Sequence, residues 1–346
     1  MSGPVRPDYH RRMPAVRRIK IIATGLALVL LAVELWYGAP SLASALAHLR
    51  TPNWSLLGLA VLADLGSMSL FARMQRRLLR AAGTLVPIQR AVALAYAAHS
   101  LSVTLPGGPV FSTAFNFSQM RRFGATSAVA SWAVAVSGLL STGTLILIGA
   151  VGGVLTRGGH GWLALAGDVV VAIGLAVCLR TFVQHPNWLL WLCGKVLTGF
   201  ARVTGRSAER GTRLVSGAVE QLSVIRMSTR DLRVAMGFAA GNWLLDAVCF
   251  GLCCLAAGAQ GLSVAQIFVA YTAGMAAASV PLVPGGLGVV DGALTLGLVA
   301  GGTPIDDAVA GVILYRLISL VLVIGVGWVL WALLRRPREA LSEIAE

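Results

Sequence analysis

Long apolar stretches alternate along the chain with shorter polar segments that are rich in arginine. An apolar helix needs about 20 residues to cross roughly 30 Å of hydrocarbon, at a rise of about 1.5 Å per residue. Six stretches are long enough, at about 18–37, 54–72, 126–154, 161–183, 233–257 and 305–334. The pattern predicts an all-α, polytopic integral membrane protein with six clear transmembrane helices.

Two further apolar regions are each interrupted by Pro-Gly-Gly, at 106–108 (the first turn) and at 284–286 (the second turn). Residues 109–121, after the first turn, would rise only about 20 Å as a helix, which is too short to cross. Irregular backbone at membrane depth is tolerated only where protein or a water-filled cavity satisfies its polar groups. We therefore predict two re-entrant hairpins, 86–122 and 264–302, whose turns face an internal cavity. A simple turn between two short spans is the alternative.

The composition agrees with a membrane protein, since 57% of the residues are hydrophobic, 12% are charged and the mean hydropathy is +0.79. The net charge of +14 falls mainly in the connections, which favours a role in membrane topology over nucleic-acid binding. The five cysteines lack the spacing and the neighbouring histidine of a metal site. No nucleic acid, metal or other cofactor is expected.

The basic clusters fit one topology, in which the positive-inside rule places both termini in the cytoplasm. The first apolar stretch lacks a small-residue cleavage site and is interpreted as a retained span. Tryptophan, leucine and arginine residues near position 190 predict an amphipathic helix on the membrane surface, with a solvated linker helix as the alternative. The predicted segments are a cytoplasmic N-terminus 1–17, a membrane half 18–183, an arginine-rich connection 184–232, a second membrane half 233–336 and a cytoplasmic tail 337–346.

Glycines flank the two turns at matching distances. Gly83 and Gly124 surround the first turn as Gly261 and Gly302 surround the second, with an offset of 178 residues throughout. Because the topology opens the first hairpin from the cytoplasm and the second from outside, the pattern predicts an internal repeat of inverted topology. Many secondary transporters have this arrangement, so the repeat points toward translocation.

Four ionisable residues fall well inside apolar segments, where a charge is costly and usually faces a cavity: Asp64, Asp246, Asp291 and Arg316. The guanidinium of Arg316 can grip a phosphate or a carboxylate, so its partner is Asp291, Asp246 or a lipid phosphate. A structural ion pair is the alternative. Asp64 and Asp246 lie in the middle of the first span of each half, where each would pair with arginine or carry a proton.

The first hairpin carries His99 and Asn116, which can offer neutral hydrogen bonds to a polar headgroup. A packing role for His99 is the alternative. In the first turn Gly107 and Gly108 would leave backbone N–H groups accessible. The helix that starts after each turn would offer its positive end to an anion.

The segments "VPGGLGVVDGAL" and "ILYRLIS" resemble the C-terminal signature of the lysylphosphatidylglycerol synthase transmembrane family, also called the flippase-like domain. The earlier "LPGGPVFSTAF" is similar to the family's first Pro-Gly-Gly, and the resemblance extends from roughly residue 17 to 336. Asp291 stands where the family commonly has Glu, and Ser112 and Thr113 stand where it often has Glu after the first turn. The resemblance nominates as substrate-binding residues Pro284, Gly285, Gly286, Gly288, Asp291, Tyr315 and Arg316.

The resemblance implies a stand-alone flippase-like protein of the bacterial inner membrane, without the aminoacyltransferase domain of full-length synthases. Its expected function is to move an anionic, aminoacylated or polyprenyl-phosphate-linked lipid between leaflets, with no catalytic residues. A membrane-embedded lipid-modifying or glycosyl transferase and a non-transporting envelope assembly partner are the alternatives. Proton coupling, the membrane potential and uncoupled facilitation stay open as driving forces, as does homo-oligomerisation.

Overall fold

A computed structural model of the chain describes residues 52–105, 107–156, 227–278 and 284–335, together with residue 174. Within these ranges the chain is helical and contains no strand. The predicted N-terminus 1–17, the predicted span 18–37, the span 161–183 apart from residue 174, most of the connection 184–232 and the tail 337–346 lie outside the described residues.

The helices begin and end at residues that suit helix termini. Asn53 caps the first helix, because its side-chain oxygen accepts hydrogen bonds from the backbone N–H of Ser55 and Leu56 at 3.1 and 3.3 Å. Ser228 caps another in the same way. The helices are α1 Trp54–Ala81, α2 Ile88–Thr104, α3 Gly108–Arg122, α4 Ser127–Thr156, α5 Thr229–Ala256, α6 Val264–Ala278, α7 Val289–Ala300, α8 Ile305–Arg316 and α9 Val323–Arg335, with a π-helical turn Leu317–Leu322 joining α8 to α9.

Four helical segments of the described chain are long and apolar enough to cross a membrane, and the protein is therefore a helical membrane protein. They coincide with four of the six predicted spans. The shorter α2, α3, α6 and α7 form the arms of the two predicted hairpins. The re-entrant placement of these hairpins and the total of six spans stay predictions. The four segments are Trp54–Ala81, Ser127–Gly153, Thr229–Ala256 and Ile305–Leu334.

Helices α1 and α5 pack against each other over most of their lengths and run antiparallel. Ser67 donates a hydrogen bond to Asn242 at 3.1 Å, and further along α1 Arg77 pairs with Asp231 at 2.6 Å. Residue numbers thus rise along α1 while they fall along α5. Small residues allow the close approach, as at Gly66, where an added Cβ would lie 2.9 Å from the Leu245 side chain.

The helices from α5 onward repeat the order of helices α1 to α4. The pairs α1 and α5, α2 and α6, α3 and α7, and α4 and α8 continued by α9 each lie about 178 residues apart. Glycines at the matching positions share positive φ angles, which non-glycine residues rarely adopt. These angles are 83° and 72° at Gly83 and Gly261, 70° and 69° at Gly107 and Gly285, and 96° and 94° at Gly124 and Gly302.

Two apolar clusters hold these helices together. One surrounds Trp132, Leu94 and Met74, and the other surrounds Phe250 and Tyr271. Large apolar side chains on the outside, such as those of α1, α7 and α9, remain exposed, as expected where lipid rather than water is the solvent. The polar side chains described next lie between the clusters and the two turns.

Candidate functional site

Both Pro-Gly-Gly turns border one internal cavity of about 600 Å³, a volume typical of small-molecule sites. It is bounded by parts of α1, α2, α3 and α5, and by the continuous helical segment formed by α8, the π-helical turn and α9. Residues 178 apart in the chain, at the first and second turns, thus reach the same space. The predicted site residues that line the cavity are Asp64, His99, Gly107, Gly108, Asn116, Asp246, Gly285, Gly286, Tyr315 and Arg316.

The second turn has a tight backbone followed directly by α7. Gly285, Gly286 and Gly288 have φ angles of 69°, 64° and 77°, and a Cβ added at Gly286 would lie 2.5 Å from a methyl carbon of Val290. Glycine is required there by conformation and by space. Gly288 caps α7, and its backbone N–H donates to Oδ2 of Asp291 at 2.9 Å. Asp291 therefore fixes the start of α7.

Arg316, at the C-terminal end of α8, is hydrogen-bonded to the second turn. Its Nε donates to Oδ1 of Asp291, and its Nη1 and Nη2 donate to the carbonyls of Gly285 and Gly286 at 3.2 and 3.4 Å. Among the three predicted partners, the structure pairs Arg316 with Asp291. The guanidinium has five N–H donors, so two are left over after these three contacts. Arg316 also lines the cavity, where those donors are chemically suited to a phosphate.

The π-helical turn after Arg316 changes which side chains meet the cavity. Ser319 and Leu320 of this turn line the cavity beside Arg316. A π turn inside an α-helix is rare and occurs frequently at functional sites. The turn therefore places the hydroxyl of Ser319 at the same cavity as the guanidinium of Arg316.

Asp246 is held by two tyrosine hydroxyls. Tyr271 donates to its Oδ2 at 2.6 Å, and the Tyr315 hydroxyl lies 3.2 and 3.1 Å from its two carboxyl oxygens. Both rings are buried in the apolar cluster around Phe250. Tyr315 thus positions a carboxyl group and is close to the cavity at the same time. Tyr271 is a part of this arrangement that the sequence pattern did not indicate.

Asp64 differs from Asp246 because it keeps an unused acceptor. Its side chain is buried at the cavity wall, and Oδ2 has no hydrogen-bond partner among the described residues. Oδ1 of Asn116, also buried at the wall, is likewise unpartnered within the described part of the chain. A buried acceptor without a donor is costly, so these oxygens favour a ligand with N–H or O–H groups.

Other polar groups at the cavity were not singled out from the sequence. Asn242 accepts the hydrogen bond of Ser67, and Trp243 donates to the Ser141 carbonyl at 2.8 Å. Asn242 lies 178 residues after Asp64, so the repeat offset was a signal that could have found it. No comparable signal marks Ser141.

Two predicted site residues, Gly288 and Asp291, do not line the cavity. Asp291 is joined to the cavity wall through its contact with Arg316. The side chain of Pro284, the first residue of the second turn, lies outside the described part of the chain. His99 lines the cavity and makes no hydrogen bond to another described residue. The second turn therefore forms part of the cavity wall, and the ion pair of Arg316 with Asp291 stabilises it.

These features define a helical membrane protein with a cavity that is bordered by two related turns and carries several polar side chains. The sequence model of the lysylphosphatidylglycerol synthase transmembrane region matches residues 21–327. The chain belongs to this family, as its second turn and the following Tyr-Arg indicated. No curated protein matches the chain.

Proposed function

We propose that the protein moves a lipid with a phosphate-containing headgroup between the two leaflets of the membrane. The observation that carries the proposal is the meeting, at one cavity, of both Pro-Gly-Gly turns and three ionisable residues of membrane-spanning helices, Asp64, Asp246 and Arg316. Intramembrane ionisable residues usually mark substrate or ion pathways. Membership of a family of membrane regions of lipid-modifying synthases supports the same direction.

The cavity offers two kinds of polar chemistry. The two remaining N–H donors of Arg316 suit the phosphate of the lipid, helped by backbone N–H groups of the turns. The unused oxygens of Asp64 and Asn116 suit an ammonium or hydroxyl group of the headgroup, or a proton in the case of Asp64. An aminoacylated lipid carries both kinds of group. Anionic and polyprenyl-phosphate-linked lipids with hydroxyl-rich headgroups also meet these requirements.

An inverted repeat would give the cavity access to both leaflets. The antiparallel packing of α1 and α5, the matching helix order and the paired positive-φ glycines support such a repeat. In transporters of this kind, one repeat rocks against the other around a site near the middle of the membrane. The two turns would then be the parts of the site that each half contributes. A bacterial inner-membrane location with both termini in the cytoplasm completes the proposal.

The experiment is leaflet exchange of three fluorescent lipids in proteoliposomes: phosphatidylglycerol, its lysyl form and a polyprenyl-phosphate sugar. Native protein is compared with Asp64→Asn, which alters the unused acceptor, and with Asp306→Asn, an equal change at an exposed residue outside the cavity. We expect exchange of one lipid at a rate that Asp64→Asn reduces at least tenfold and Asp306→Asn leaves intact. Exchange of none of the three by folded protein would contradict translocation and favour a transferase or an assembly partner.

A further inference from the structure

A second, smaller cavity of about 350 Å³ lies at the C-terminal end of α1, away from the cavity described above. Its arginines follow the helical spacing i, i+3, i+4, i+7, so they form one stripe on α1. At 100° per residue this stripe lies on the face opposite Asp64, Ser67 and Phe71, which line the larger cavity. We call this cavity the arginine pocket; its lining residues are Arg73, Arg76, Arg77, Arg80, Ile88 and Phe238.

The length of α1 places the arginine pocket at the level of lipid headgroups. With 28 residues, α1 is about 42 Å long, whereas the hydrocarbon layer is about 30 Å thick. Trp54, at the other end, is 77% exposed, as expected of a side chain in the interfacial aromatic belt. Counted from Trp54, the apolar layer ends about where Arg73 begins. The last two turns of α1 then extend into the headgroup region.

Two of the arginines are anchored by neighbouring elements. Arg77 pairs with Asp231 of α5 at 2.6 Å, and Nε of Arg76 donates to the Val86 carbonyl at 2.8 Å. The Nε of Arg77 is buried and has no hydrogen-bond partner among the described residues. A buried donor of this kind calls for an acceptor that the described protein does not supply.

The other two arginines are open. Arg73 and Arg80 are exposed and make no hydrogen bond or ion pair with another described residue. Asp231 is the one carboxylate paired with the stripe in the described part of the chain, so three of the four positive charges have no paired carboxylate among the described residues. The positive-inside rule requires basic residues near the end of a span, but it does not require them to enclose a pocket.

We propose that the arginine pocket binds the phosphate group of an anionic phospholipid. Guanidinium groups match phosphate oxygens bidentately, and basic pockets between transmembrane helices bind acidic headgroups. The apolar side chains of Ile88 and Phe238 form part of the wall and suit the hydrophobic part of a lipid better than a free phosphate ion. The site is separate from the translocation cavity, and the proposal does not depend on the lipid that is moved there.

The test measures phosphatidylglycerol bound to detergent-purified protein by native mass spectrometry, with phosphatidylcholine of the same acyl chains as the neutral comparison. The test variant is Arg73→Gln with Arg80→Gln, because both side chains are exposed and the contacts of Arg76 and Arg77 remain. The matched control is Arg90→Gln with Arg122→Gln, two exposed arginines that do not line the arginine pocket. Lipid binding is measured in high salt, which screens the attraction between the lipid and charges outside the pocket.

We expect the affinity for phosphatidylglycerol to fall at least tenfold in the test variant, since two of the four guanidinium groups that line the arginine pocket are removed. The control variant should change by less than about threefold, and phosphatidylcholine should bind weakly to all three proteins. Equal losses in the test and control variants, or none in either, would overturn the proposal. Inorganic phosphate that binds as tightly as phosphatidylglycerol would also overturn it, because the acyl chains would then contribute nothing.

Discussion

The two Pro-Gly-Gly turns share a sequence, a positive φ at the first glycine and one cavity, but they are held by different means. The second turn is tied by Arg316, which donates to the carbonyls of Gly285 and Gly286 and pairs with Asp291. The first turn receives no charged hydrogen bond among the described residues. There, the N–H of Gly108 donates to the Leu105 carbonyl at 2.8 Å, and glycine packs directly against backbone.

The two turns therefore differ in which residues support the backbone and which residues line the cavity. At the second turn, Arg316 both supports the backbone and lines the cavity. At the first turn, glycine packing provides the support, so the polar side chains of Ser112 and Asn116 remain available at the cavity wall. Substitutions at the two turns should therefore fail in different ways.

The largest loss of stability and of lipid exchange is expected when the ion pair between Arg316 and Asp291 at the second turn is broken. Arg316→Gln leaves Asp291 unpaired and frees two carbonyls, which we expect to lower the free energy of unfolding by about 3 kcal/mol and to abolish lipid exchange. Thermal unfolding in detergent measures the first effect. Asp291→Glu, which keeps the charge, serves as the control. A double-mutant cycle of Arg316→Gln with Asp291→Asn that gives no coupling energy would contradict this account.

At the first turn we expect a smaller effect of steric origin. A Cβ added at Gly108 would lie 1.9 Å from the backbone oxygen of Ser102, so Gly108→Ala must displace backbone, at about 2 kcal/mol. Gly138→Ala is the control, because nothing lies within 4 Å of the added carbon. Unfolding midpoints of the two variants give the comparison. Equal midpoints would mean that backbone packing does not hold the first turn.

The smallest effect concerns the tyrosines that hold Asp246. Tyr271→Phe removes a hydrogen bond of 2.6 Å, while the Tyr315 hydroxyl remains close to both carboxyl oxygens. We expect a loss of about 1 kcal/mol in the free energy of unfolding. Combining Tyr271→Phe with Tyr315→Phe should cost more than the two single changes together, because Asp246 then loses both donors. Strict additivity would argue against a shared carboxyl.

The sequence was sufficient where composition and spacing decide the structure. Apolar length predicted the four described spans, and Pro-Gly-Gly predicted both breaks, because few other sequences interrupt a helix in this way. The isolated charges within apolar segments gave Asp291 as one of three predicted partners of Arg316, beside Asp246 and a lipid phosphate, and the structure pairs Arg316 with Asp291. The helix α1 continues about nine residues past the apolar stretch 54–72, since arginine is a good helix former even where the chain leaves the hydrocarbon.

Some contacts between side chains of different helices could not be predicted from the sequence. Nothing in the apolar run around Tyr271 shows that its hydroxyl meets Asp246, because that meeting depends on how α5 and α6 pack. The π-helical turn after Arg316 also has no marker residue, and it arises in an unbroken apolar segment. By contrast, Asn242 could have been found by extending the 178-residue offset to Asp64.

The most direct test of the cavity as the lipid site is substrate protection of a cysteine placed in its wall. In a chain without native cysteines, Ser112→Cys introduces a thiol at the cavity, and Thr113→Cys introduces one at the exposed neighbouring residue outside it. We expect the exchanged lipid to slow modification of Cys at 112 by a bulky thiol reagent, and we expect completed modification to block lipid exchange. The thiol at 113 should show neither effect. Equal protection at the two positions, or undiminished exchange after modification at 112, would contradict the account.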